Sequence, residues 1–173
     1  MEKILELAKP IQLLIFDVDG VLTNGQLYLT DENIEMKAFH SHDGMGIQLL
    51  LKSGVQVAII TARQSKTVLH RMRSLGVEHV YQGALHKFPA YEDLRDKLQL
   101  KDEAIAYMGD DLTDLAIMQR VGLSIAPANA MDFIKEKADF VTTKSGGFGA
   151  AREACDLIMQ AQGTLESLYA EYL

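Results

Sequence analysis

The sequence predicts an α/β fold: a doubly wound (Rossmann-like), mostly parallel sheet with helices on both faces. Short, mostly apolar runs lie at residues 11–16, 55–60, 79–82 and 104–108. Such runs are typical of parallel strands buried on both faces. Most of them lead into a segment with helical periodicity, and alternating strands and helices build sheets of this kind. We therefore expect about six strands, with polar groups gathered at their carboxyl ends, where open α/β sheets bind ligands.

Length and composition indicate a single domain over residues 1–173. The chain has 173 residues, of which 48% are hydrophobic, and a formal net charge of −7. This charge argues against nucleic acid and anionic membranes as partners. Because no apolar stretch reaches the ~20 residues of a membrane span and no targeting leader is visible, we expect a cytoplasmic protein. Cys155 is the only cysteine, so it has no disulfide partner within the chain, and we expect it in a helix core.

Two carboxylates directly follow the first apolar run, at Asp17 and Asp19. Residues i and i+2 of a strand point to the same face, so both side chains are predicted to enter one crevice. Two like charges about 4 Å apart repel by roughly 4 kcal/mol at an effective dielectric constant near 20, so a cation or a shared proton must hold them. The alternative is an ordinary Asp-Gly turn after a core strand, since Gly20 follows Asp19.

A second acidic cluster follows the run at 104–108 and comprises Asp110, Asp111 and Asp114. Their spacing crowds all three side chains into the first turn of a predicted helix. One carboxylate satisfies a helix N-cap, which is the simpler interpretation of the cluster. The surplus favours a hard cation such as Mg²⁺, which prefers carboxylate and carbonyl oxygens.

Polar groups also follow the second and third of these four runs. Thr61, Ala62 and Arg63 come directly after residues 55–60. A hydroxyl and backbone amides just before a helix suit phosphate oxygens, although a threonine in this place is more often a helix cap. Lys87 comes after residues 79–82, and taken alone it is typical of a solvated surface lysine.

Together these positions resemble, in their order along the chain, the four motifs of the haloacid dehalogenase superfamily: Asp17-x-Asp19, Thr61, Lys87 and Gly109-Asp110-Asp111-x-x-Asp114. The resemblance implies that Asp17 is a nucleophile that accepts a phosphoryl group and that Asp19 is the general acid and base. Thr61 would hold a phosphate oxygen, and Lys87 would neutralise the transferring group.

The same resemblance implies a magnesium site. Asp17, the backbone carbonyl of Asp19 and Asp110 would bind Mg²⁺. Asp111 and Asp114 would support the metal through water or by holding its ligands.

Four local strings resemble the capless sugar-acid phosphatases of that superfamily; they lie at residues 16–25, 37–47, 109–114 and 144–153. The resemblance implies a homotetramer that hydrolyses a small-molecule sugar-acid phosphate, either 3-deoxy-D-manno-octulosonate 8-phosphate in lipopolysaccharide precursor synthesis or a nine-carbon sialic-acid-type 9-phosphate. Arg152 is then expected near the substrate. His42 stands where Arg or Lys is expected before Asp43, at a position assigned to substrate binding.

Two segments are expected between subunits: a hairpin at 26–39 and a tail at 144–173. The hairpin is predicted with arms at 26–29 and 34–39 around a turn from Thr30 to Asn33, and an isolated two-stranded hairpin is marginally stable. The Gly-rich segment Lys144–Gly149 has no evident partner within a single domain. A signalling receiver domain, which also uses Asp, Thr, Lys and Mg²⁺, is an alternative from another class, disfavoured because Thr61 rather than an aspartate follows residues 55–60.

Overall fold

The computed structural model describes residues 1–32 and 34–173. Asn33, at the end of the predicted hairpin turn, lies outside the described residues. None of the helices in these two ranges is long and apolar enough to cross a membrane.

Within the described residues, six parallel strands form the central sheet in the order β5-β4-β1-β6-β7-β8, and a separate antiparallel pair joins β2 (Tyr28–Leu29) to β3 (Glu35–Met36). The predicted α/β fold is therefore confirmed. The strands of the central sheet are β1 (Leu13–Phe16), β4 (Gln56–Ile60), β5 (His79–Tyr81), β6 (Ile105–Met108), β7 (Leu123–Ala126) and β8 (Phe140–Val141).

The strand order reverses beside β1, which lies between β4 and β6. The chain first moves outward from β1 to β4 and β5, and then returns to place β6 on the other side of β1. Phe16 pairs with Ile59 of β4 and with Met108 of β6, so the three strands end at nearly the same level. A reversal of this kind opens a crevice at the carboxyl ends of the strands, where ligands bind in open α/β sheets.

Eight helices accompany the sheet in the described ranges: α1 (Glu2–Ala8), α2 (Ser41–Lys52), α3 (Lys66–Leu75), α4 (Lys87–Lys97), α5 (Leu115–Met118), α6 (Asp132–Lys135), α7 (Ala150–Ala161) and α8 (Leu165–Ala170). The core consists of two apolar clusters, one on each face of the sheet. Leu14 and Phe16 of β1 pack in the cluster with α1, α2, α3 and α7. Leu13 and Ile15 pack in the other cluster, with α4, α5 and α6. Every residue of β1 is apolar because helices cover both faces of the sheet.

The hairpin is present but shorter than predicted. Its strands β2 (Tyr28–Leu29) and β3 (Glu35–Met36) have two residues each and, among the described residues, pair only with each other. Directly after β3, Lys37 contacts Asp19 of the central domain. Its apolar side chains are largely exposed, at Leu27, Tyr28, Leu29, Ile34 and Met36. A ribbon this short is marginal by itself.

The Gly-rich segment does have partners within its own chain, so the expectation that it lacked them is wrong. The amide of Gly146 donates to Asn129 Oδ1 at 2.6 Å, and the amide of Gly147 donates to the carbonyl of Val21 at 3.1 Å. A Cβ on Gly146 would lie 1.8 Å from the carbonyl oxygen of Gly20. The glycine is therefore needed for the close approach of two backbones, a use that the sequence pattern does not reveal.

The helix α7 after this segment belongs to the core. It packs along α2, and seven of its residues are buried. Cys155 is fully buried there, as predicted. Asp43 links the two helices, because its carboxylate accepts from the amides of Gly149 and Arg152 at 3.3 and 2.9 Å. Most of the predicted tail is thus integral to the domain, and its role between subunits stays a prediction.

Candidate active site

A cavity of about 240 Å³ opens at the carboxyl ends of β1, β4 and β6. The fold brings together eight of the residues predicted to serve the reaction, and adds Thr113, which was not predicted. The cavity is lined by Asp17, Asp19, Thr61, Ala62, Arg63, Lys87, Asp110, Asp111 and Thr113.

Strand register places the first of these groups. Asp17 follows β1, and its amide donates to the carbonyl of Met108 at 3.0 Å, so the sheet bonding continues one residue beyond the strand. Thr61 follows β4 in the same way, with its amide on the carbonyl of Tyr81 at 2.9 Å. Thr61 is buried, and α3 begins only at Lys66. Thr61 therefore does not cap a helix, and the capping interpretation is wrong.

Lys87 is the first residue of α4, and only 2% of it is exposed. Its ammonium group lies 2.9 Å from Asp17 Oδ2 and 2.6 Å from Asp114 Oδ1. Burial opposes the charge, but attraction by Asp17 and Asp114 outweighs it and raises the pKa of Lys87. The surface-lysine interpretation is wrong, because the fold encloses this side chain between two carboxylates.

Asp114 is fully buried and holds this part of the site together. Its Oδ1 accepts from Lys87 and, at 2.6 Å, from the hydroxyl of Tyr107. Its Oδ2 accepts from the amides of Asp110 and Asp111 at 3.0 and 3.1 Å. Both oxygens are thus engaged by the protein, and Asp114 fixes the loop that carries Asp110. Tyr107 was missed because an apolar run gives no sign that one member has a polar contact.

Asp110 has a different environment, since its Oδ1 is buried and has no hydrogen-bond partner in the part of the chain that the structure describes. One carboxylate oxygen each of Asp17, Asp110 and Asp114 lie within 4.8 Å of one another. A Cβ on Gly20 would lie 2.0 Å from Asp110 Oδ2. The left-handed backbone of Gly20, with φ +89°, lets the loop after β1 approach this carboxylate closely. An unpartnered buried oxygen beside further carboxylates fits the ligand preference of Mg²⁺.

The pKa values of both carboxyls reflect this crowding. Burial, reinforced by the negative charge of Asp114, raises the pKa of Asp17 to about 7. Burial and the negative charges of Asp17 and Asp114 raise the pKa of Asp110 to about 8. A cation between them would relieve this repulsion and favour the ionised forms.

Asp111 is exposed and serves the local backbone. Its Oδ1 accepts from the amide of Leu112 at 2.6 Å, at the start of the 3₁₀ turn Leu112–Asp114 that leads into α5. The helix-cap interpretation is therefore right for this member of the cluster. Its predicted support of the metal stays a prediction.

Asp19 lies in a network of four charged side chains. It contacts Lys37, and its Oδ2 lies 4.0 Å from Arg63 Nε. Glu35, at the start of β3, contacts both Lys37 and Arg63. Glu35 and Lys37 were missed because charged residues that alternate with apolar ones on a predicted hairpin arm are typical of a solvent-facing side.

His42 and Arg152 do not line the cavity that contains Asp17. They line another one, of about 360 Å³, with Thr143, Lys144, Phe148, Gly149, Glu153 and Asp156. Arg152 Nε donates to both oxygens of Asp156 at 2.8 and 2.9 Å. The expectation that both residues reach substrate is thus not met within one chain, because α2 and α7 carry them to a separate surface.

The chain matches the model of the haloacid dehalogenase-like hydrolases over residues 79–152. It is also 48% identical to the 3-deoxy-D-manno-octulosonate 8-phosphate phosphatase KdsC of Escherichia coli K12, over 92% of this chain and 85% of that protein. The chain belongs to this hydrolase family. The predicted resemblance is confirmed, and the receiver-domain alternative is wrong.

Solved structures agree over almost the whole fold. A probable YrbI family phosphatase from Pseudomonas syringae is 46% identical, with a TM-score of 0.98 over 99% of this chain and 98% of that chain. The 3-deoxy-D-manno-octulosonate 8-phosphate phosphatase of Moraxella catarrhalis, in complex with magnesium, phosphate and KDO, is 40% identical. Its TM-score is also 0.98, over 100% of this chain and 99% of that chain.

The first prediction separates the two neighbouring aspartates. Asp110→Ala removes the unpartnered buried oxygen, so the Mg²⁺ concentration for half-maximal activity should rise by on the order of 10- to 100-fold. Asp111→Ala is the matched control; it should cost about 1 kcal/mol of stability through the lost cap and leave the Mg²⁺ requirement nearly unchanged. Titration of activity with Mg²⁺ checks this, and equal effects of the two variants would contradict the ligand assignment.

The second prediction concerns pH. The folded protein keeps protons on Asp17 and Asp110 that the unfolded chain releases near pH 3.8. Their contribution to the stability of the metal-free protein is therefore complete below that pH and is lost as the pH rises through about 7 to 8. Because Mg²⁺ must displace these protons, its affinity should increase between about pH 6 and about pH 9.

Calorimetric titration of metal-free protein with Mg²⁺ at the two pH values measures this effect. Asp111→Asn should keep the pH dependence, and Asp110→Asn should remove most of it. An affinity that is the same at both pH values would show that the two carboxyls are already ionised at the lower pH.

Proposed function

We propose that this chain is a Mg²⁺-dependent phosphatase that hydrolyses 3-deoxy-D-manno-octulosonate 8-phosphate to the free sugar acid and phosphate. The observation that carries the proposal is the buried Asp17–Lys87 pair beside the unpartnered carboxylate oxygen of Asp110. Relatives named 3-deoxy-D-manno-octulosonate 8-phosphate phosphatase match the chain over nearly its full length, and the structure of one of them contains magnesium, phosphate and KDO. The reaction would serve the synthesis of lipopolysaccharide precursors.

In the first half of the reaction, Asp17 attacks the phosphorus in line. A bond forms between its carboxylate oxygen and phosphorus while the bond from phosphorus to the sugar oxygen breaks. Protonated Asp19 gives its proton to that oxygen, so the sugar leaves as an alcohol. Lys87 holds Asp17 in place and balances charge on the phosphoryl oxygens, and Thr61 with the backbone of Ala62 receives one of these oxygens.

Asp17, the carbonyl of Asp19 and Asp110 would hold Mg²⁺ beside these groups, and the bound ion would neutralise charge on the transferring phosphoryl group. In the second half of the reaction, ionised Asp19 takes a proton from water as the water oxygen attacks phosphorus. The bond to Asp17 breaks, phosphate leaves, and Asp19 is protonated again. Asp114 touches no reacting atom and acts by holding Lys87 and the loop of Asp110.

The test is hydrolysis with Mg²⁺ across a panel of substrates. The panel contains 3-deoxy-D-manno-octulosonate 8-phosphate, a nine-carbon sialic-acid-type 9-phosphate, hexose phosphates and acetyl phosphate. The eight-carbon substrate should give the highest kcat/KM. A preference for the nine-carbon ester would keep the mechanism and change the substrate, and no activity on any ester would contradict the proposal.

The third prediction distinguishes the two carboxylates after β1. Asp17→Asn should abolish phosphatase activity, because the amide is no nucleophile, while the melting temperature shows that the protein remains folded. Asp19→Asn should slow turnover by about 10² to 10⁴, the usual contribution of a general acid and base. Activity that persists in purified Asp17→Asn protein would rule out the covalent route.

We also propose that the protein works as a homotetramer, in the cytoplasm, with the hairpin between subunits. Two observations support the assembly. The hairpin exposes a row of apolar side chains, among them Leu29 and Met36, more than half of whose surface is accessible. His42 and Arg152 lie outside the cavity of their own chain, so a neighbouring copy could use them. Pairing of hairpins would also cover strand edges that otherwise stay open.

The fourth prediction tests this assembly. Light scattering on the intact protein should give a mass of about four chains. Leu29→Lys places a charge among the apolar hairpin residues, so the mass should fall and KM for the sugar-acid ester should rise. Phe133→Lys is the matched control, because Phe133 is exposed on α6, outside the hairpin. A fully active monomer would contradict the proposal.

A further inference from the structure

A buried lysine in the hairpin region contacts the side chain assigned to proton transfer. Lys37 follows β3, and its side chain is only 3% exposed. Its ammonium group contacts the carboxylates of Asp19 and Glu35. A buried ammonium group is stable only when such partners surround it, so this lysine is held in one place by the two acids.

Lys37 is close to the reaction centre without lining it. The cavity is bounded by Asp19 and Arg63, and Lys37 and Glu35 are not among the residues around it. Lys37 is connected to the cavity in two ways: directly through Asp19, and through Glu35 to Arg63. The direct contact with Asp19 is the shorter of the two routes by which Lys37 can influence the reaction.

Arg63 is the second cationic side chain near Asp19, and it attracts the carboxylate in a direction different from that of Lys37. Arg63 Nε lies 4.0 Å from Asp19 Oδ2, and 44% of the Arg63 side chain is exposed at the cavity. Lys37 takes the opposite oxygen, Oδ1. With both cations present, the two oxygens of Asp19 are fixed from two sides. Without Lys37, attraction by Arg63 alone would draw the carboxylate toward the arginine.

We propose that Lys37 is a positioning residue that holds Asp19 in the orientation for proton transfer, and that Glu35 is the counter-ion that keeps both Lys37 and Arg63 in place. The proposal rests on the phosphatase function above. It assigns the base of the hairpin a part in the reaction, because Glu35 and Lys37 connect β3 to the loops after β1 and β4.

A comparison of kcat/KM for esters with good and poor leaving groups distinguishes a misplaced Asp19 from a general structural defect, which would affect both esters equally. The value of kcat/KM reports formation of the aspartyl-phosphate, and proton donation by Asp19 matters in that step only when the leaving group is a poor one. A sugar alkoxide needs the proton, whereas 4-nitrophenolate leaves without it. Misplacement of Asp19 should therefore lower kcat/KM for the sugar ester much more than kcat/KM for 4-nitrophenyl phosphate.

The experiment compares Lys37→Met with the wild type on both esters. For 3-deoxy-D-manno-octulosonate 8-phosphate, kcat/KM should fall by about 10- to 100-fold, the cost of a misplaced catalytic group. For 4-nitrophenyl phosphate it should change by less than about threefold, because the proton is not needed. Lys37→Arg keeps the charge and should lose less than Lys37→Met. Lys52→Met is the matched control, since Lys52 is the last residue of α2 and pairs with Glu171. For this variant, kcat/KM should stay unchanged with both esters.

A double variant completes the test. If Lys37 acts through Asp19, Asp19→Asn with Lys37→Met should be no slower on the sugar-acid ester than Asp19→Asn alone, within about twofold. Equal losses on the two esters, or additive losses in the double variant, would overturn the proposal in favour of a structural role. Should Lys37→Met fail to fold, Lys37→Arg and Glu35→Gln provide the same comparison of esters.

Failure of the proposed function has a separate signature. In that case the wild-type protein does not hydrolyse 3-deoxy-D-manno-octulosonate 8-phosphate but still cleaves 4-nitrophenyl phosphate. The comparison is then made with whichever sugar phosphate the wild type does cleave. Failure of the Lys37 proposal leaves wild-type activity intact and appears only in the variants.

Discussion

The ammonium group of Lys87, enclosed between Asp17 and Asp114, is the contact on which the rest of the site depends. A buried amine is costly unless carboxylates surround it, and buried carboxylates repel one another unless a cation lies between them. Each partner therefore needs the others. Lys87 starts α4, Asp17 directly follows β1 and Asp114 closes the loop after β6. One electrostatic arrangement therefore fixes three parts of the fold that are distant in sequence. The Asp17 carboxylate, which we propose as the nucleophile, is therefore oriented before any ligand enters.

The charges of this arrangement do not balance, and the imbalance defines what the site can bind. Three carboxylates, those of Asp17, Asp110 and Asp114, face a single lysine ammonium group. Full ionisation would leave two negative charges, and this repulsion adds to the larger effect of burial in raising the pKa values of Asp17 and Asp110. A divalent cation would supply the missing charge, and Asp110 Oδ1, which has no hydrogen-bond partner among the described residues, would be available as its ligand. Only with that cation present can a phosphate dianion enter without strong repulsion.

The sequence was informative where function follows directly from a strand. Buried apolar runs identify β1, β4 and β6. The residues that follow these strands meet because parallel strands end at one edge of the sheet. Asp17, Thr61 and Asp110 could therefore be predicted to lie together. Lys87 could be placed only through the resemblance, because burial of a helix-starting lysine depends on distant carboxylates. Lys37 and Asn129 gave no local signal at all. Asn129 joins the carbonyl of Gly20 to the amide of Gly146, a link over more than a hundred residues that no periodicity encodes.

These long-range links lie on the β6 side of the cavity, whereas the hairpin contacts the β4 side through Glu35 and Arg63. On the β6 side, backbone approaches too close for any Cβ hold the loop after β1 against Asp110 and against the segment before α7. Little can vary there without loss of the metal loop. On the opposite side lie Arg63, the exposed rim of the cavity and the hairpin, which is tied to the domain through Glu35 and Lys37. Because Lys37 joins the hairpin to Asp19, a change in the position of the hairpin would reach the Asp19 carboxylate. In the mechanism proposed above, that carboxyl group gives the leaving oxygen its proton.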